Sequence, residues 1–232
     1  MAKQADRGVH NTAAKEDFSR NRRSGRHTKR EAAGRVCDIG KVIHPVTPEV
    51  HARAAKIKLL LMDVDGVLTD SKLFFLPGPE GSVIEVKAFD SQDGIAFQWC
   101  RMKGIRTGII SGRKSFSTDQ RALQAHMDYS YQGFVEKIPI IDEIKKDAGL
   151  ESDEIAFIGD DLTDVVVFHR VGLAIATANA RPEVKAEAHW VTNNVGGNGA
   201  VRDAVEMIFQ ARGLWQEILD KYEIGKASQA VI

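Results

Sequence analysis

Ile57-Lys58-Leu59-Leu60-Leu61-Met62-Asp63-Val64-Asp65-Gly66-Val67-Leu68-Thr69-Asp70 is the stretch whose reading decides the fold. The run to Met62 reads as a buried strand, and the carboxylates begin where it stops. Acidic side chains at the C-terminal end of a buried parallel strand project into the crevice where such sheets bind ligands. Asp63 and Asp65 stand one residue apart, so both can converge on one phosphate and one hard cation as the chain leaves the strand. Gly66 then allows a sharp turn. An Asx-rich turn with solvated acids is the plain alternative, and it leaves a second cluster of the same kind unexplained.

From Ala52 onward short apolar runs alternate with segments of helical period, the pattern of a parallel sheet covered by helices. A hairpin is expected next, with arms Leu73–Leu76 and Val83–Phe89 around Pro77-Gly78-Pro79-Glu80-Gly81. In its second arm Ile84, Val86 and Ala88 alternate with Glu85 and Lys87, which predicts one packed face and one wet face. Further strands are expected at 106–110, near Tyr129, at 155–158, at 173–176 and at Trp190-Val191. Helices are expected between them, one with Pro139 in its first turn and Gly149 at its end. The fold class is therefore α/β: a Rossmann-like, doubly wound, mainly parallel sheet with a β-hairpin flap after the first strand and no cap domain.

The second acidic cluster is Gly159-Asp160-Asp161-Leu162-Thr163-Asp164, again at a strand end before a helix. Two acidic strand ends meeting in a crevice repel each other unless a divalent cation neutralises them. Oxygen-only ligands favour Mg2+. Helix N-capping accounts for one of these acids but not for three. Ser111-Gly112-Arg113 follows a strand and opens a helix, a place where a hydroxyl and backbone N–H groups cradle an anion. Lys137 stands at the start of a later helix and can supply a fixed positive charge there; taken alone, each of these two is an ordinary helix cap or surface lysine.

These four pieces resemble, in order and spacing, the four motifs of the haloacid dehalogenase (HAD) superfamily of phosphatases, over about residues 55–212. The resemblance implies that Asp63 is a nucleophile forming an aspartyl-phosphate and Asp65 the general acid/base. It implies further that Ser111 and Lys137 hold the phosphate and that Asp160 completes a magnesium site with Asp63 and the Asp65 backbone carbonyl. Between Asp63 and Ser111 lie 47 residues and between Ser111 and Lys137 lie 25, and neither gap holds a cap domain. A capless member either takes macromolecular substrates or borrows cover from a neighbouring subunit.

Within the capless group the resemblance is to the phosphatases of 3-deoxy-D-manno-octulosonate 8-phosphate (KDO 8-P), enzymes of lipopolysaccharide synthesis. It is carried by Lys87-Ala88-Phe89, Asp93-Gly94, Tyr131-Gln132-Gly133 and Gly196-Gly197-Asn198-Gly199-Ala200-Val201-Arg202-Asp203. It implies a small phosphorylated sugar-acid substrate and a cytoplasmic homotetramer whose subunits cap one another. Gly112, Arg113, Lys87, Asp93, Gly94 and Arg202 are the expected substrate contacts. Gln92 and Asn198 depart from the basic residues common at their positions, which leaves room for a nine-carbon ulosonate 9-phosphate or another small phosphomonoester. A catalytically retired assembly module would have lost Asp63 or Asp65, and both are present.

Composition bounds the remaining classes. The chain has 232 residues with 32 Lys/Arg and 32 Asp/Glu, a balance that favours neither nucleic acid nor an anionic membrane as partner. The zero is an average: residues 1–50 hold 11 basic and 6 acidic residues, a net of +5, and residues 51–232 hold 21 and 26, a net of −5. Residues 1–50 read as a disordered basic leader, possible RNA contact at Arg20–Arg26 being the lesser reading and a translation start further downstream a third. Residues 51–212 read as the phosphatase domain and 213–232 as a C-terminal helical tail. No apolar run is long enough for a membrane helix or a secretory signal, so a cytosolic protein is expected. Cys37 and Cys100 are too few for a disulfide framework and read as free thiols.

Overall fold

The computed structural model describes residues 44–225; residues 1–43, with Cys37 and most of the expected leader, and residues 226–232 lie outside the described residues. In chain order the elements are α1 (Pro48–Ala54), β1 (Leu59–Met62), β2 (Phe74–Pro77), β3 (Val83–Val86), α2 (Ser91–Met102), β4 (Arg106–Ser111), α3 (Phe116–Gln124), β5 (Tyr129–Gln132), α4 (Ile138–Ala148), β6 (Ile155–Gly159), α5 (Leu162–Phe168), β7 (Leu173–Ala176), α6 (Pro182–Glu187), β8 (Trp190–Val191), α7 (Ala200–Ala211) and α8 (Trp215–Lys221). Six strands form one sheet in the order β5-β4-β1-β6-β7-β8, with every neighbouring pair parallel. The expected doubly wound α/β fold is the one observed.

Strand β1 lies at the centre because it can be buried on both faces. Leu60 and Met62 enter one core with Val50, Phe97, Trp99, Val205 and Ile218. Leu59 and Leu61 enter the other with Ile140, Ile144, Phe157, Val167 and Val184. The chain leaves β1 with β4 on one side and β6 on the other, so the strand order reverses at this point. In an open α/β sheet such a reversal leaves a crevice at the carboxyl ends of the strands. Asp63 continues the ladder by one bond, its N–H donating to Ile158 O at 3.0 Å, and is thereby fixed at the crevice floor.

Two domain boundaries move. The expected break at residue 50 falls inside α1, which Thr47 caps and whose Val50 is buried in the core. His44 is tied down as well, its carbonyl accepting from Trp190 Nε1 at 3.1 Å. The segment 213–232 was expected as a tail, yet α8 docks: Ile218 is 1% exposed and Trp215 meets Trp99 edge-on at 5.5 Å. Apolar residues pack α1 against α7 and β7, and α8 against α7 and Trp99 of α2.

The hairpin departs further from expectation. Strand β2 pairs only with β3, and the pairs Phe74↔Val86 and Leu76↔Ile84 make one wholly apolar face. That face is bare, with its four side chains 38–53% exposed. The other face is exposed at Phe75 and Val83, and only its end at Glu85 and Lys87 turns inward, where Lys87 is buried and Glu85 half-buried. A two-stranded ribbon has no second layer of its own, so burial falls to whichever face the body offers a partner, and here that partner is ionic.

Ile218→Ala is expected to lower unfolding stability by about 2–5 kcal/mol, the range for a large-to-small change in a packed core. Urea denaturation measures it, and a loss below about 0.5 kcal/mol, the surface range, would mean that α8 is not part of the cooperative unit.

Candidate active site

The ends of β1, β4 and β6 and the start of α4 surround a crevice of about 270 Å³ lined by Asp63, Asp65, Ser111, Gly112, Arg113, Val135, Lys137, Asp161 and Thr163. All four expected catalytic residues therefore converge, although they are spread over 75 positions of sequence.

One side of the crevice is organised by Lys137. Its ammonium lies 3.1 Å from Asp63 Oδ1 and 2.6 Å from Asp164 Oδ1, and the side chain is 2% exposed. Burial alone would lower its pKa, but the Coulombic pull of Asp63 and Asp164 outweighs burial and holds it above the ordinary lysine value. Asp164, which is fully buried, accepts from the N–H groups of Asp160 and Asp161 at 2.9 and 3.2 Å through its second oxygen. It thus ties the turn after β6 to the lysine. Asp164 is the residue the expected site omits; its place at the third helical position, three after the N-cap Asp161, forms a capping box that the Asp161–Asp164 spacing encodes.

Carboxylate oxygens of Asp63, Asp160 and Asp164 lie within 4.8 Å of one another. Burial raises Asp63 to about 6 even against the opposing pull of Lys137. Burial, reinforced by the charges of Asp164 and Asp63, raises Asp160 to about 8. Asp160 Oδ1 is buried with no hydrogen-bond partner. An orphaned carboxylate oxygen facing a second carboxylate is a poor arrangement for a protein alone and a suitable one for a small hard cation. Gly66 belongs to this geometry: its φ is 97°, and any Cβ there would collide with the Asp160 carboxylate. The Gly66 carbonyl is held by Thr177 Oγ1 at 3.3 Å and Asn179 Nδ2 at 3.2 Å, which fixes the turn after Asp65.

The other side of the crevice is organised around Asp65. Lys87 Nζ donates to Asp65 Oδ1 at 2.6 Å, and Arg113 Nε lies 3.6 Å from Asp65 Oδ2. Both cations also meet Glu85, Lys87 at 3.8 Å and Arg113 in a direct ion pair. Ser111 is 2% exposed and its hydroxyl accepts from the Arg113 N–H at 3.2 Å, so the loop after β4 curls over its own serine. The Asp65 side chain takes no part in the three-carboxylate set, in keeping with a ligand role confined to its backbone carbonyl. Glu85 is a second residue the expected site omits, because strand alternation assigns it to a solvated face.

Three expected substrate contacts are not brought to the crevice. Asp93 is fully buried in the first turn of α2, where it accepts from the Arg202 N–H at 2.8 Å and burial raises its carboxyl to about 7. Gly94 packs beneath the Arg121 guanidinium. Arg202 stacks on Trp99 at 3.8 Å and pairs with Glu206. Asp93 and Arg202 join α2 to α7 and Gly94 meets Arg121 of α3; of the expected set, Gly112 and Arg113 line the crevice and Lys87 is buried against Asp65.

A parallel sheet with two acidic strand ends, a serine and a buried lysine around one crevice, and no cap domain, defines a haloacid dehalogenase-like hydrolase of the phosphatase class. Residues 130–204 match the haloacid dehalogenase-like hydrolase family. The 3-deoxy-D-manno-octulosonate 8-phosphate phosphatase of Salmonella typhimurium is 35% identical over 173 residues, 75% of this chain and 90% of that one. Among solved structures, a probable phosphatase of Pseudomonas syringae superposes with a TM-score of 0.73 at 37% identity, over 77% of this chain and 99% of that one. The Moraxella catarrhalis KDO 8-P phosphatase, solved with magnesium, phosphate and KDO, gives 0.71 at 34%, over 75% and 98%. The chain belongs to the family of KDO 8-P phosphatases.

With raised carboxyl pKa values, the metal-free folded protein keeps protons that the unfolded chain loses above its ordinary value near 3.8. Its stability is therefore expected to fall as pH rises from about 4 to 8, since the folded state binds the excess protons. Asp160→Asn is expected to flatten the upper part of that decline in melting temperatures measured in a chelator. An unchanged slope between pH 6 and 8 would remove Asp160 as its source.

Proposed function

We propose that the chain is a magnesium-dependent phosphomonoesterase acting through an aspartyl-phosphate on Asp63, with KDO 8-phosphate as substrate and KDO and phosphate as products. The observation that carries this reading is the convergence of Asp63, Asp65, Ser111 and Lys137 on one crevice, where the carboxylates of Asp63, Asp160 and Asp164 cluster around the single cation Lys137. Family membership supports the substrate. A cytosolic setting accords with the absence, among the described residues, of any helix long and apolar enough to cross a membrane.

Lys137 and the Ser111 hydroxyl would hold the phosphate's non-bridging oxygens, with the N–H groups of Gly112 and Arg113 alongside. Magnesium held by Asp63, Asp160 and the Asp65 carbonyl would supply charge neutralisation, without which a carboxylate does not approach a phosphate dianion. A carboxylate oxygen of Asp63 forms the new bond to phosphorus while the bond to the sugar oxygen breaks, and Asp65 gives that oxygen its proton. Asp65 then takes a proton from the water that attacks phosphorus, releasing phosphate and restoring Asp63. Arg113, which lines the crevice and is partly exposed, would meet an anionic group of the departing sugar acid.

Asp63→Asn is expected to lower kcat by about a thousandfold or more, the scale for removing a covalent nucleophile. Steady-state assays on KDO 8-phosphate with magnesium measure it, and an active variant rules out the covalent route. Across a panel of sugar phosphates, preference for a sugar without a carboxylate would rule out the ulosonate reading and leave the phosphatase class intact.

The crevice is open to solvent with no cap domain over it, which supports subunits capping one another. The bare apolar face of β2 and β3 supports the hairpin as the surface that joins them. Sedimentation velocity at micromolar concentration is expected to give a species of about 100 kDa, four chains of 25.6 kDa. A monomer would contradict the tetramer.

A further inference from the structure

Beside the crevice a ring of four charges draws on three parts of the fold. Asp65 follows β1 and Arg113 follows β4, while Glu85 and Lys87 come from the hairpin. Lys87 is 1% exposed at its side chain, touches Asp65 at 2.6 Å and stands 3.8 Å from Glu85. Arg113 pairs with Glu85 and stands 3.6 Å from Asp65. Each cation thus lies between the same two carboxylates. One of these belongs to the reacting group and the other, Glu85, faces no substrate in the proposed mechanism.

We infer that Glu85 is a positioning residue for Asp65: by sharing both cations it sets the direction of the acid/base carboxylate from the hairpin. The inference rests on the reading of Asp65 as general acid/base. Without Glu85 the two cations have a single anion to satisfy, and they close on Asp65 from both sides. A carboxylate clamped by an ammonium and a guanidinium is withdrawn from the leaving oxygen it must protonate. Arg113 also loses the partner that holds it over the strand end. The hairpin is fixed for this purpose at its backbone too, since Ser117 Oγ at the start of α3 donates to the Glu85 carbonyl at 3.4 Å.

A leaving-group comparison tests the inference without involving the sugar. p-Nitrophenyl phosphate expels a phenolate that needs no proton, whereas 4-nitrobenzyl phosphate expels an alcohol that does. For the first, irreversible phosphoryl transfer, kcat/KM isolates the step in which Asp65 acts as acid. Glu85→Gln is expected to lower kcat/KM on the benzyl ester about tenfold or more while changing the nitrophenyl ester less than about threefold, the signature of a misplaced general acid. Glu85→Asp, which keeps the charge, is expected to restore part of the loss. Glu80→Gln, which removes the same charge from the exposed turn between β2 and β3, is expected to leave the ratio of the two esters unchanged.

Equal losses on both esters for Glu85→Gln, or the same bias in Glu80→Gln, overturns the role of Glu85. Asp65→Asn serves as the reference and is expected to show the bias in full. If it shows none, the acid/base reading of Asp65 fails and Glu85's role falls with it. If it shows the bias and Glu85→Gln does not, only the inference about Glu85 fails.

Discussion

The ion pair of Lys137 with Asp63 and Asp164 is the interaction on which the rest of the site depends. Burying a lysine at 2% exposure is costly unless its charge is met, and burying Asp63 beside Asp160 and Asp164 is costly for the opposite reason. Neither arrangement stands alone. The lysine supplies one positive charge to three carboxylates, so the cluster is still anionic after pairing, and the raised values of Asp63 and Asp160 express that excess. The glycines follow from it. Gly66 and Gly159 are the points where backbone passes against the Asp160 and Asp164 carboxylates too closely for any Cβ. A site that keeps its acids this crowded has to be built on residues without side chains.

Two aspartates one residue apart can take different roles because the strand end delivers them to different electrostatic surroundings. Asp63 lies against Lys137 within the carboxylate set and is nearly buried. Asp65 turns away from that set toward Lys87 and Arg113, nearer the mouth. Identical side chains acquire distinct chemistry through environment alone, as pairs of catalytic carboxylates do generally. Period-2 geometry at the end of β1 begins the separation, and the left-handed turn at Gly66 completes it.

Much of this was legible in sequence, for physical reasons that also explain what was not. Acids following an apolar run, a serine and a glycine after a strand and a lysine opening a helix are local patterns, and the sheet brings them together whatever the details. The hairpin was legible as a hairpin but not in its orientation. Alternation in Val83–Lys87 shows that two faces differ; it carries no information on which face the body will cover. Burial by ion pairing inverted the usual assignment, placing Glu85 and Lys87 inside and Ile84 and Val86 outside. Asp93 and Arg202 lie away from the crevice for a related reason. Polar residues near an active-site loop read as contacts, yet here one caps α7 through the Arg202 N–H and the other lies over Trp99. Helix capping and cation–π stacking use the same residue types as anion recognition, and only the fold separates them.

The hairpin's two faces bear on how a capless enzyme can be covered. A cap domain moves on a hinge and leaves the catalytic base where it was. This hairpin has no such independence: its inner face holds the charges around Asp65, and its outer face leaves four apolar side chains bare. A second copy seated on that outer face would bear on the strand that carries Glu85. Cover and acid geometry would then be supplied by one rigid element, and a displaced hairpin would expose the site and misplace Asp65 together. An enzyme built this way would gain its closed site by assembly rather than by motion, and the proposed acid/base would be in register only when the hairpin is.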